Sequence, residues 1–116
     1  MSLRTPSGAM LSAVGSGTGA IAVSSPSNSR HAIHAITANW SAAPSTSESI
    51  TITLNSIEGA AYDTILRSEN PSLTSSTDYV WEWDNPLRIQ PGSTIDVAYT
   101  NTDSRTVSVE IIYETY

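Results

Sequence analysis

Ser49-Ile50-Thr51-Ile52-Thr53-Leu54-Asn55 alternates polar and apolar side chains without a break. A period of two puts Ile50, Ile52 and Leu54 on one face of an extended strand and Thr51, Thr53 and Asn55 on the other. A helix would scatter these residues around its circumference and leave no apolar stripe. Threonine is β-branched and suits the solvent face of a pleated sheet. The segment therefore predicts a strand with one buried face, which needs a sheet around it and a second layer to bury against.

The same signal recurs toward the C-terminus. Gly59 ends the first element, and Tyr62 to Arg67 reads as a strand. Ser68 to Asp78 is polar, carries Pro71 and reads as a loop. Asp78 to Trp83 puts Tyr79, Trp81 and Trp83 on one side and Val80 and Glu82 on the other. Asp84-Asn85-Pro86 predicts a turn before a short strand, Leu87 to Ile89. Pro91-Gly92 then predicts a type II turn, in which proline sets φ near −65° and glycine accepts positive φ. Ser93 to Thr100 sends Ile95, Val97 and Tyr99 inward, and Asn101 to Ser104 reads as a tight hairpin. Arg105 to Tyr116 is the last and longest strand, with Val107, Val109, Ile111 and Tyr113 on one face. Its other face carries Ile112 and Tyr116 among Thr106, Ser108, Glu110 and Glu114, which suggests a contact patch. A last strand can sit inside a sheet or offer its edge to another subunit.

Toward the N-terminus, Ser41 to Ser47 is a loop. His31 to Trp40 alternates, with Ala32, His34, Ile36, Ala38 and Trp40 on one face. The sum is about seven or eight antiparallel strands and no convincing helix, which predicts an all-β chain folded as a single β-sandwich. Jelly-roll and immunoglobulin-like topologies share this pattern, although the Cys and Trp spacing of immunoglobulin domains is absent. The domain is expected over 30–116. Residues 1–29 differ: their only charge is Arg4, and they hold four of the six glycines of the chain. They read as an extended arm, with a short strand near Gly19 to Ser24, that reaches a neighbouring subunit.

Composition excludes several kinds of chemistry. The chain has 116 residues, enough for one core, and no cysteine, so disulfides and thiolate metal sites are ruled out. No run of about 18 apolar residues is present to span a membrane. The apolar fragment Ala9 to Val14 is too short for a secretion signal. Five scattered arginines, no lysine and a net charge of −6 make a poor partner for nucleic acid, which needs a basic patch.

The candidate sites are few. His31 and His34, three apart on a strand, point to opposite faces and cannot both ligate one metal. A catalytic reading would need one of them to meet an acid and a nucleophile. Gly15-Ser16-Gly17 lies in the arm, and no nucleophile elbow, phosphate loop or dinucleotide fingerprint occurs, so no cofactor is expected. Asp78, Glu82 and Asp84 cluster near one turn but lack the oxygen-rich loop of a calcium site. The aromatic set Tyr79, Trp81 and Trp83 is compatible with a core, a subunit interface or a sugar-stacking platform.

From Trp81 to Tyr113 the chain reads W-E-W-D-N-P-L-R-I-Q-P-G-S-T-I-D-V-A-Y-T-N-T-D-S-R-T-V-S-V-E-I-I-Y. A short strand, a Pro-Gly turn, an alternating strand, an Asn/Asp hairpin and a long closing strand resemble the C-terminal half of small β-sandwich virion proteins of tailed bacteriophages. With the I-T-I-T-L-N-S strand the likeness covers roughly Ile33 to Tyr116. It implies a non-enzymatic structural protein located in the virion, a capsid decoration or tail-associated protein. Such a protein self-assembles, often as a trimer, and docks onto partners such as the major capsid protein. It carries over no functional residues. A carbohydrate-binding module for a host surface, using Trp81 and Trp83, is the competing expectation.

Overall fold

The computed structural model describes residues 10–116. Eight strands run in the order β1 (Met10–Gly17), β2 (Ile21–Ser24), β3 (His31–Trp40), β4 (Ile50–Asn55), β5 (Thr64–Glu69), β6 (Asp78–Ile89), β7 (Thr94–Tyr99) and β8 (Val107–Thr115). Among the described residues the only helical pieces are a 3-10 turn at Ala60–Tyr62 and one α-turn, Pro71–Thr74, capped by the Asn70 side chain.

The strands form two four-stranded antiparallel sheets, β1-β8-β3-β6 and β2-β7-β4-β5. Strand one pairs with eight, two with seven, three with six and four with five. These nested pairs are a long hairpin rolled up on itself, which makes the sandwich a jelly roll. Strand order thus decides between the two topologies that periodicity leaves open.

The alternation expected for β4 and β7 holds. Ile50, Ile52, Ile95, Val97 and Tyr99 are buried and meet Val107, Val109 and Ile111 of β8 across the sandwich. Most of these side chains are β-branched, which stiffens them for a pleated surface. Each fully buried Ile or Val contributes about 1.5–3 kcal/mol. The turn expected at Pro91-Gly92 is present: Gly92 has φ 92° and Ser93 N–H donates to the Gln90 carbonyl at 3.1 Å.

Several expectations are corrected. The segment expected as an arm over 1–29 holds the short strand expected near Gly19 to Ser24, found as β2, and also an unexpected strand, β1, and both are built into the protein's own sheets. Met10 to Gly17 pairs along its whole length with β8, and Ile21 and Val23 lie in the core. Residues 1–9 of the expected arm lie outside the described residues. Asn101 to Ser104, expected as a tight hairpin, is none, because β7 and β8 belong to different sheets and the loop carries the chain across. The turn at Asp84-Asn85-Pro86 does not split the strand. β6 runs on through it, with Trp83 to Pro86 looped out opposite His34 alone. Of the two placements open to the last strand the inner one is found: β8 lies between β1 and β3 and offers no edge.

One bulge redirects a whole strand end. Between Ile33 and Ala35 the register of β3 shifts against both neighbours. His34 and Ala35 consequently point the same way, outward, and Ala32 joins them, while Ile33 and His31 turn into the core. The expected face Ala32, His34, Ile36, Ala38, Trp40 is therefore broken in the middle.

Candidate functional site

Tyr79 and Trp81 face the core from β6. Trp81 is buried, and the two rings stack with centroids 5.3 Å apart and planes 8° apart. Trp40 meets Tyr79 edge-on at 5.7 Å and Tyr99 at 5.4 Å. The four rings form a packed seam that joins β3 and β6 to β7 of the opposite sheet, an arrangement aromatic quadrupoles favour. Trp83 is half-buried against the same core. The Arg67 guanidinium of β5 lies 5.4 Å from the Trp83 ring centroid, closing the side of the sandwich where β5 and β6 are the outer strands. A sugar platform needs ring faces open to solvent, and Trp81 presents none.

The two histidines lie on opposite faces, as their spacing predicts, and each finds a different partner. His31 is fully buried. Its Nε2 lies 2.8 Å from Ser25 Oγ and its Nδ1 2.9 Å from the Ser29 carbonyl. Burial pushes its pKa down, against the upward pull of the Ser29 carbonyl. A neutral ring with Nδ1–H donating to Ser29 and Nε2 accepting from the Ser25 hydroxyl satisfies every group. Ser25 Oγ also accepts from Ile95 N–H at 2.8 Å, while Ser25 N–H donates back to the Ile95 carbonyl. The hydroxyl thus replaces one rung of the β2–β7 ladder. A Ser–His bond is the first requirement for a nucleophile, but here the hydroxyl is buried and committed, and the pair acts as a lock.

His34, thrown outward by the bulge, lies with Nε2 2.7 Å from Glu114 Oε1 of β8. Among the described residues, acid and hydroxyl therefore do not meet at either imidazole. Among the described residues no three His, Asp or Glu side chains converge on a common point, and Asp78, Glu82 and Asp84 do not form a ligand set.

Ile112 and Tyr116, the two candidates on the outer face of β8, are both half-buried. Ile112 stands between Ser12 of β1 and Ala35 of β3. The Tyr116 ring has the guanidinium of Arg30 at 5.2 Å and that of Arg88 at 5.3 Å from its centroid. Arg30 Nε also donates to the Tyr116 carbonyl at 3.1 Å. The structure therefore does not bring the five candidate residues together: Tyr79, Trp81 and Trp83 line the inside, and Ile112 and Tyr116 the outside, of one sheet.

The surface that sequence reading missed is β1. Eight large apolar side chains among the described residues are exposed, and Met10, Leu11 and Val14 of this one strand supply three of them. The stretch from Met10 to Gly17 carries no charge, a signal already visible in the sequence. Beside it, a shallow depression of about 330 Å³ opens on the outer face of the sheet. Its lining includes Val14, Ser16, Thr37, Asn39, Ser108 and Glu110.

No protein-family model matches the chain, and no curated protein matches it in sequence.

Proposed function

We propose that this chain is a non-enzymatic structural protein of a virus particle, of the capsid decoration or tail-associated kind, that acts by self-assembly and docking. The observation that carries this reading is the exposed, uncharged outer strand β1, with Met10, Leu11 and Val14 turned to solvent on an otherwise acidic chain. Exposed apolar groups gathered on one strand mark a surface made for contact. The jelly roll adds support by analogy of fold, since viral capsid domains use it, though lectin domains do so too. The resemblance from Trp81 to Tyr113 points the same way.

The test is to purify virus particles from lysates of the cells that carry the gene and to measure this chain in them by quantitative mass spectrometry. The reading expects a fixed copy number relative to the major capsid protein. A chain that stays in the soluble fraction overturns it.

One observation favours carbohydrate binding as the second reading. The depression between β1, β8 and β3 offers the hydroxyls of Ser16, Thr37 and Ser108, the Asn39 amide and the Glu110 carboxylate to a ligand. Such groups suit the hydroxyls of a saccharide. Binding on a glycan array that Asn39→Ala abolishes would move the assignment to this reading.

A further inference from the structure

The four outer strands of the sandwich are β1 and β6 in one sheet and β2 and β5 in the other. An outer strand exposes a row of unpaired backbone N–H and C=O groups, and proteins normally blunt such rows with charge, proline, bulges or shortness. Three of the four are blunted. β6 carries Asp78, Glu82, Asp84, Pro86 and Arg88, and it loops out four residues. β5 carries Arg67 and Glu69, and its pairing register shifts at Leu66. β2 has four residues and runs into Pro26.

β1 has none of these devices. It is eight residues long, without charge or proline, and pairs with β8 through eight consecutive residues with no register shift. A long, flat, neutral strand of this kind is a template for another strand.

We infer that the edge of β1, which no other described strand covers, pairs over Met10 to Val14 with the same edge of a second copy of this chain, antiparallel, across a two-fold axis at Ser12. The pairing rests on the self-assembly reading above and names its surface and partner. Charge selects the partner. The chain carries −6 overall and its other long outer strands are charged, whereas β1 opposite β1 brings no like charges together. Symmetry selects the geometry, because two identical edges close as a dimer when antiparallel.

The register follows from the side chains. With Ser12 opposite its own copy, Met10 of each chain stands beside Val14 of the other, and Leu11 beside Ala13. Met10 is 54% and Val14 69% exposed in the single chain, and this register covers both. Glu110 and Glu114, the carboxylates of β8 level with Val14 and Met10, then face their counterparts across about three strand spacings, roughly 14 Å. That distance exceeds the screening length at physiological salt.

The chain lacks cysteine, so one introduced thiol reports the register. Light scattering of the full chain should give twice its 12.3 kDa, and Val14→Lys should give a monomer with an unchanged far-ultraviolet spectrum. Ser12→Cys should cross-link to a covalent dimer under mild oxidation, since facing residues in an antiparallel pair lie within disulfide reach. Ser16→Cys should not. A monomer or a trimer in solution overturns the edge pairing. So does a dimer that survives Val14→Lys and in which Ser12→Cys fails to cross-link. These outcomes leave the virion reading to its own test: a monomer found in particles defeats only the pairing, and a β1 dimer missing from particles defeats only the virion assignment.

Discussion

Asp103 and Glu48 each hold the other's loop. Asp103, between β7 and β8, accepts from the backbone N–H groups of Ser45 and Thr46 at 2.8 Å each and from Thr46 Oγ1 at 2.7 Å. Glu48, between β3 and β4, accepts from Thr102 N–H at 2.7 Å and from its hydroxyl at 2.8 Å. Both loops cross from one sheet to the other, so the exchange clamps the two layers together at one end of the sandwich.

The clamp predicts an acid response. The backbone bond from Thr46 is the largest influence holding the Asp103 carboxyl below its usual pKa, followed by the Thr46 hydroxyl, with Ser45 N–H and the Arg105 charge helping. A depressed folded pKa stabilises fully above the ordinary carboxylate value, and the stabilisation is lost as pH falls through the folded value. The thermal midpoint of the parent chain should therefore drop on acidification below the usual aspartate range. Asp103→Asn should start lower at neutral pH and drop less. Parallel curves would remove Asp103 from the explanation.

Ser25 and His31 predict a second, separate pH effect. Burial lowers the His31 pKa, so the unfolded chain takes up the proton first. Stability is then complete above the ordinary imidazole value of 6.5 and declines as pH falls below it. Urea titrations between pH 5 and 8 should show this slope, and His31→Asn should flatten it. Ser25→Ala leaves His31 Nε2 and Ile95 N–H without their partner and should cost about 2–4 kcal/mol at pH 8. A loss under 0.5 kcal/mol would show that the lock contributes nothing.

The aromatic strand predicts unequal losses. Trp81→Ala removes a buried ring from the seam and should destabilise by about 3–5 kcal/mol. Trp83→Ala removes a half-buried ring and its contact with Arg67, for about 1–2 kcal/mol. Chemical denaturation of the two variants checks the order. The reverse order would place Trp83 and not Trp81 at the centre of the fold.

Gly92 and Ile57 predict coupling. A side chain at Gly92 is disfavoured by φ 92°, and its Cβ would collide with the Ile57 side chain. Gly92→Ala should cost about 2–4 kcal/mol from both effects together. Made in an Ile57→Ala background, the same change should cost less, because the contacts with Ile57 Cδ1 and Cγ1 are gone and only the 3.2 Å approach to Cβ remains beside the backbone strain. A double-mutant cycle measures the difference, and strict additivity would mean that the collision is relieved at no cost.

Much of the fold was legible because a strand with one buried face must alternate. Ile50 and Ile52, Ile95 to Tyr99, and Val107 to Ile111 show their inward faces directly. The turn at Pro91-Gly92 was legible because only glycine accepts that backbone angle without strain. The β3 bulge was not, since His31 to Trp40 alternates smoothly and only its pairing with two neighbours reveals the slip. Residues 10–17 misled for a related reason: Gly15 and Gly17 read as linker, yet a Cβ on Gly15 would lie 2.6 Å from Val23 Cγ2, so glycine is what lets β1 and β2 pack.

By itself the sequence determined the fold class, the strands and most of the inward faces, because these depend on the order of side chains along one segment. Only the tertiary structure decided the jelly-roll order, the outward turn of His34 and the committed state of the Ser25 hydroxyl. It also decided that β8 is enclosed while β1 is an outer strand among the described residues. Each of these depends on which distant segments lie side by side, and backbone hydrogen bonds between strands form without regard to the side chains that local periodicity reads.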